Sequence, residues 1–319
     1  MRTLRSSRAA WLVATATLAV VLAFTVRRFD VTRLASAFRG TSALWLCAAG
    51  VCFFAKLPLW AVQLHRLSAP SARNRLREMF GVASVASTVH TTTWLLAGEA
   101  TTVVLLVSRV GLSRAEAVSV LAMDQAMVGF AKVVILCAAA MMAPLPEPLR
   151  RAIPATIVAV ILLCTLLGWM ARQHADLSAR IAPHAPRVER LLTSFGRGLA
   201  PLREQRRVAG VAARALLKKL CEIAAILCVQ RAFGVELPVS SAIMVLAALD
   251  LATLIPVVPG NLGVYEGAVV WTYTRLGVVP EVALAMAVAQ HAAYVVAAAL
   301  PGYLWLLASG PFRRAAAVA

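Results

Sequence analysis

Acidic residues are scarce in this 319-residue chain: 14 Asp and Glu stand against 32 Lys and Arg, for a formal net charge of +18. Charge of either sign is thin overall, at 14% of residues. Polar stretches long enough to fold as a soluble catalytic domain are missing, and so is any run resembling a nucleotide-binding loop. The six cysteines, Cys47, Cys52, Cys137, Cys164, Cys221 and Cys228, all fall in apolar segments without CxxC spacing. That excludes a thiol metal or redox site and makes them small buried apolar residues. No metal-ligand or nucleophile pattern is visible, so no cofactor or metal is expected. No basic groove interleaved with aromatic residues is present either, and nucleic acid is excluded as the partner of the positive charge.

What is abundant is hydrocarbon. Hydrophobic residues make up 61% of the chain and the mean hydropathy is +0.80, values of a polytopic membrane protein. At about 20 residues per crossing, full spans are expected at 9–26, 41–62, 117–142, 152–171, 208–230 and 282–308. Two further apolar stretches, 79–110 and 239–277, are interrupted. The basic residues lie in the short connections, where cytoplasmic retention and anionic headgroups account for them.

The stretch Leu249–Gly267, LDLATLIPVVPGNLGVYEG, organises the rest. Pro256 and Pro259 each remove a backbone donor, and Gly260, Asn261 and Gly263 tolerate angles that other residues avoid. Loosened backbone at membrane depth is tolerated only where protein or a water-filled cavity satisfies it. In the first half, Ala97, Gly98 and Glu99 interrupt a segment dotted with Ser84, Ser87, Thr88, Thr91, Thr92 and Thr93.

Topology follows from charge. Arg2, Arg5 and Arg8 before the first run favour a cytoplasmic N-terminus, against a weaker opposing vote from Arg27, Arg28, Arg33 and Arg39. That first run ends without a small-residue cleavage motif, so an uncleaved span is expected rather than a signal peptide. The connection 172–207 carries eight arginines and is expected in the cytoplasm, with 187–203 as an amphipathic helix along the inner surface. Stretch 79–110 is either one span with an outer tail or a re-entrant hairpin. Working backward from the basic loop, it enters and leaves on one side. Stretch 239–277 does the same from the opposite side, and Arg313 and Arg314 place the C-terminus inside. The expected fold is an all-α polytopic membrane protein forming one transmembrane domain. Half 1–171 with its hairpin and half 208–319 with its hairpin make an inverted repeat around 172–207, with a site near the midplane.

Candidate site residues are the polar groups at membrane depth, where an acid costs roughly 2.5–3.5 kcal/mol on insertion scales. Glu266 follows the Pro-Gly break and is either a headgroup or proton site or a capping acid. Glu99 holds the equivalent place in the first hairpin. Arg109 suits a lipid phosphate but equally a boundary anchor. Asp124, Arg214, Lys218 and Asn261 are further candidates for the lipid headgroup; Asp124 and Lys132 share a helix, with an ion pair to Arg109, Arg214 or Lys218 as the plain alternative. Lys218 and Glu222 are spaced to pair on one face, and Lys56 reads as a snorkelling residue. Asp250 and His291 are further interior polar groups, and with Glu266 they are the proton-relay candidates. Gly260 and Gly263 are expected to expose N–H groups to an anionic headgroup.

The run IPVVPGNLGVYEG at 255–267 resembles the proline, glycine, glycine, glutamate signature of the lysylphosphatidylglycerol synthase transmembrane region, a flippase-like family of bacterial and archaeal membrane proteins. Gly98 and Glu99, Arg109, GLSRAEA at 111–117 and Asp124 resemble its first half. Three positions depart from the pattern. The first hairpin lacks the proline or arginine often found there, Asn261 replaces a common glycine, and His291 lies where a basic residue is frequent. The soluble aminoacyl-transferase domain of the full synthases has no counterpart in these residues, so lipid aminoacylation is not expected.

The resemblance implies translocation of a phospholipid or a polyprenyl-linked or glycolipid substrate in the bacterial cytoplasmic membrane. Energy would come from ion or proton coupling, membrane potential or the lipid gradient. A membrane scaffold that docks a lipid-modifying enzyme through 172–207, and an intramembrane enzyme using Glu99 or Asp124 as base, are the competing expectations.

Overall fold

The computed structural model describes residues 31–68, 76–93, 96–142, 147–181, 186–254 and 258–309; the expected first span at 9–26, Pro256 and both termini lie outside them. The described residues are helical, without strands. In chain order the helices are α1 (Val31–Arg39), α2 (Ala43–Leu67), α3 (Leu76–Thr92), α4 (Ala97–Leu105), α5 (Arg114–Met142), α6 (Glu147–Ile181), α7 (Pro186–Gly198), α8 (Gln205–Ala232), α9 (Val239–Ala252), α10 (Val264–Arg275) and α11 (Pro280–Ser309).

Among the described residues, four stretches are long and apolar enough to cross a membrane: Ala43–Leu67, Arg114–Met142, Arg150–Gln173 and Pro280–Ala308. Helix α8 has the length, at 28 residues, but Arg206, Arg207, Arg214, Lys218, Lys219, Glu222 and Arg231 lower its hydropathy. The expected span 152–171 is the middle of a 35-residue helix that runs well into the basic stretch. The amphipathic helix beyond it exists as α7, but part of its apolar face is covered by protein: Phe195 packs beside the buried Leu199, and Ser119 on α5 donates to the Phe195 carbonyl at 2.8 Å.

Both interrupted stretches are helix pairs. The first break precedes Gly98 rather than including it, because α4 starts at Ala97 and holds Gly98 and Glu99 in its first turn. The hydroxyls before the break hydrogen-bond back along α3; Thr91 and Thr92 reach the carbonyls of Ser87 and Thr88 and so do not open the helix. Helix α4 widens into a π turn, Leu106–Val110, and stops at Gly111 with φ 82°. Helix α5 then opens on a capping box. Ser113 Oγ accepts from the Glu116 N–H at 3.2 Å, and the Glu116 carboxylate accepts from the Ser113 N–H at 2.9 Å. GLSRAEA is thus a stop followed by a start.

The second break falls where proline and glycine put it. Helix α9 ends at Ala252, a short turn spans Pro259–Asn261, and α10 begins at Val264. Gly260 (φ 60°), Asn261 (φ 55°) and Gly263 (φ 81°) all occupy positive φ, which explains why this run uses the two residue types that adopt it most readily.

Two apolar cores form, one above the other. One joins Phe53, Leu136, Ile226, Val229 and Tyr273 with α9 and α11, and the other joins Leu64, Met79, Leu106, Met123, Leu167 and Val211. Polar residues interrupt the apolar faces of α2, α5 and α8: Lys56, Trp60 and Gln63; Asp124, Gln125 and Lys132; Lys218, Lys219 and Glu222. Lys56, Asp124, Gln125, Lys132, Lys218, Lys219 and Glu222 fall near the middle of helices long enough, at about 1.5 Å per residue, to cross a hydrocarbon layer of about 30 Å.

Helix α3 is fixed against the last helix by close backbone approach. Thr88 Oγ1 donates to the Ala299 carbonyl at 2.8 Å, and a Cβ on Gly302 would lie 2.1 Å from Thr88 Oγ1. Small residues at such a crossing let van der Waals packing and interhelical hydrogen bonds do what hydrophobicity cannot do inside lipid.

Candidate functional site: a polar cavity at the centre of the helices

Between the two cores lies a cavity of about 620 Å³. Its polar wall comes from Lys56, Trp60, His90, Glu99, Asp124, Gln125, Lys132, Lys218, Lys219, Glu222, Asp250, Asn261, Tyr265, Gln290 and Tyr294. Both helix breaks reach it, through His90 and Glu99 from the first and Asn261 from the second.

A chain of ion pairs dominates one side. Glu222 on α8 pairs with Lys56 on α2 and accepts from Lys219 at 2.8 Å. Lys219 also donates to Asp250 Oδ1 on α9 at 2.7 Å, and Lys132 on α5 stands 3.8 Å from the same oxygen. Four helices are thereby tied together by buried charges. Such groups are retained at depth only when paired. Lys56 also lies 5.1 Å from the Tyr294 ring centroid, a cation–π contact.

Asp124 is 2% exposed and bonded differently from expectation. Its oxygens accept from Trp60 Nε1 at 3.1 Å and Gln63 Nε2 at 2.7 Å, both on α2, and it makes no ion pair with Arg109, Arg214 or Lys218. The Lys218–Glu222 pairing expected from helix spacing is replaced by Lys219–Glu222, three apart instead of four. Lys56 does not snorkel; it turns inward to Glu222.

Glu99 and Asn261 line the cavity, whereas Glu266 and His291 stand behind its wall. Glu266 Oε2 accepts the Gly263 N–H at 2.7 Å, capping α10, and Oε1 lies 2.7 Å from His291 Nδ1. His291 in turn stacks on Tyr265, with ring centroids 4.2 Å apart, and the Tyr265 hydroxyl accepts from Gln290 at 2.7 Å. Gly260 and Gly263 do not offer their N–H groups to a headgroup, as the sequence suggested. Gly260 donates to the Thr93 carbonyl at 3.3 Å, and Gly263 donates to Glu266. A half-helix end buried in protein must satisfy its own donors first.

Arg109 is exposed on the π turn, and Arg214 donates to the Gly210 carbonyl at 2.7 Å; neither reaches the cavity. Asp250 does, as a member of the ion-pair chain. Sequence reasoning missed the roles of Lys56, Trp60, Gln63, His90 and Lys219. Charge at mid-span on three separate helices was the signal that could have found the lysines.

The described residues contain no cluster of His, Cys, Asp and Glu able to hold a metal ion. An apolar helical array crossed at its middle by a cavity of paired charges defines a multi-pass membrane protein. The chain matches the lysylphosphatidylglycerol synthase TM region over residues 11–302 and belongs to that family. No curated protein and no solved structure matches it.

Proposed function

We propose that this protein moves a lipid between leaflets of a bacterial cytoplasmic membrane, passing the headgroup through the central cavity while the acyl or prenyl tails stay in the bilayer. The observation that carries the reading is the cavity itself. A volume of about 620 Å³ is of the size that holds a small polar ligand. It lies at the middle of helices that cross hydrocarbon and is flanked by both helix breaks. A site at the midplane, built by broken helices from two halves, is the arrangement of secondary transporters. On this reading α3–α4 and α9–α10 are oppositely oriented re-entrant hairpins of an inverted repeat, and both chain ends face the cytoplasm.

Enzymatic action is not part of the proposal. Glu222 and Asp250 pair with lysines and Asp124 accepts from Trp60 and Gln63, while Glu99, whose Oε2 has no partner among the described residues, is read as part of the headgroup's path. The test is leaflet exchange of fluorescent lipids in proteoliposomes across a panel of headgroups. Headgroup-selective exchange that falls at least tenfold in Glu99→Gln supports transport. Exchange at the protein-free rate for every lipid, by protein of native helicity, rejects it and leaves docking of a lipid-modifying enzyme as the reading to test.

A further inference from the structure

Four lysines line the cavity, and the chain neutralises them unequally. Lys56 is held by Glu222, and Lys219 by Glu222 and Asp250 together. Lys132 reaches the Asp250 carbonyl at 3.4 Å and its carboxylate at 3.8 Å. Lys218 has no carboxylate of the described residues within ion-pair distance and no hydrogen-bond acceptor among them. The remaining carboxylates match the lysines in number but not by contact, and Asp124 acts on Lys218 only from beyond ion-pair distance. Asp124 holds Trp60 and Gln63, and Glu99 faces His90 at 3.8 Å. An unpaired ammonium at mid-membrane is costly, and every neighbouring lysine shows that this fold pairs such groups when it can. Lys218 is therefore the ammonium of the four left free to meet a ligand's negative charge by direct contact.

A second observation gives the ligand's other end. On the side of the cavity formed by the helix breaks and α11, the acceptor oxygens Glu99 Oε2, Asn261 Oδ1 and Gln290 Oε1 are buried without partners. Buried acceptors without donors are rare in folded proteins and costly to keep. Unpaired positive charge on α8, facing unpaired acceptors on the breaks and α11, describes a ligand that is anionic at one end and rich in hydrogen-bond donors at the other.

We infer that Lys218 is the seat of a lipid phosphoryl group, with the donor-bearing remainder of the headgroup directed to Glu99, Asn261 and Gln290. This rests on the transport reading for its biological sense but not for its test. Arg109, the residue whose chemistry best suits phosphate in the sequence, is outside the cavity and plays no part.

Binding of dioctanoyl phosphatidylglycerol and of phosphate-free dioctanoylglycerol to the full chain in detergent micelles, measured by equilibrium titration, tests the seat directly. The expected result is at least tenfold tighter binding of the phosphate-bearing lipid, a preference lost in Lys218→Gln and kept in Lys218→Arg. Lys132→Gln, whose ammonium already leans on Asp250, is expected to reduce the preference less. Equal affinity for the two lipids in the wild type, or an undiminished preference in folded Lys218→Gln, overturns the assignment. A Lys218-dependent preference in protein that fails to exchange lipid keeps the seat and removes transport; exchange without a phosphate preference does the reverse.

Discussion

The Gly260 N–H donates to the Thr93 carbonyl at 3.3 Å, joining the break in one helix pair to the break in the other across 167 positions of sequence. The contact is backbone to backbone, so what the sequence must supply is room for it. A Cβ on Gly260 would lie 2.7 Å from the Thr91 carbonyl oxygen, and the residue sits at φ 60°.

Gly260→Ala is therefore expected to destabilise the protein by about 1–3 kcal/mol, the scale of left-handed strain plus a steric shift. Gly267→Ala in α10 is the control, because nothing lies within 4 Å of its Cβ position. Thermal unfolding of the two variants in detergent checks this: a lowered Tm confined to Gly260→Ala is the expected pattern, and equal Tm values would remove the contact from the account.

Glu222 is the hinge of the charge chain, since it serves both Lys56 and Lys219. Glu222→Gln leaves two ammonium groups short of a partner and should cost about 3–5 kcal/mol, the scale for breaking a buried pair by removing one member. Lys56→Met should cost less, because Glu222 keeps Lys219. The double variant Lys56→Met/Glu222→Gln is expected to be more stable than additive losses predict, by about 0.5–3 kcal/mol. Additivity in that cycle would show that the pair is not coupled.

Glu266 and His291 were natural transport residues from the sequence, an acid and a base close to a helix break. In the fold the Glu266 carboxylate is split between the Gly263 N–H and the His291 imidazole, contacts that hold the start of α10. Glu266→Gln is expected to cost about 1 kcal/mol of stability and to leave lipid exchange per folded molecule within twofold of wild type. Glu99→Gln, which alters the cavity wall, should reduce exchange without a comparable loss of Tm. The opposite ranking in paired exchange and melting measurements would return Glu266 to the transport path.

The helices and breaks were legible because their causes are local. Hydrophobic runs gave α2, α5, α8 and α11 to within a few residues, and Pro259, Gly260, Asn261 and Gly263 marked the second break. The first break is expected at Ala97, Gly98 and Glu99 from the sequence, whereas the helix already starts at Ala97. Its glycine serves close packing against His90, where a Cβ would lie 2.7 Å from the His90 Cβ. What was not legible is which charge meets which. Lys56 and Glu222 are 166 residues apart, and the choice of Lys219 over Lys218 depends on how α8 is rotated toward α9. Helix periodicity allows either lysine. Only the position of Asp250 on another helix decides it.

None of the six cysteines lines the cavity, while Ser87 does. That permits the measurement closest to the central claim. In a variant with the six cysteines replaced, Ser87→Cys is modified by a bulky methanethiosulfonate reagent, and leaflet exchange is followed before modification, after it, and after release by reductant. If the headgroup travels through this cavity, modification brings exchange down to the protein-free rate and reductant restores it. Full modification with exchange unchanged would contradict the account and place the lipid's path elsewhere on the protein.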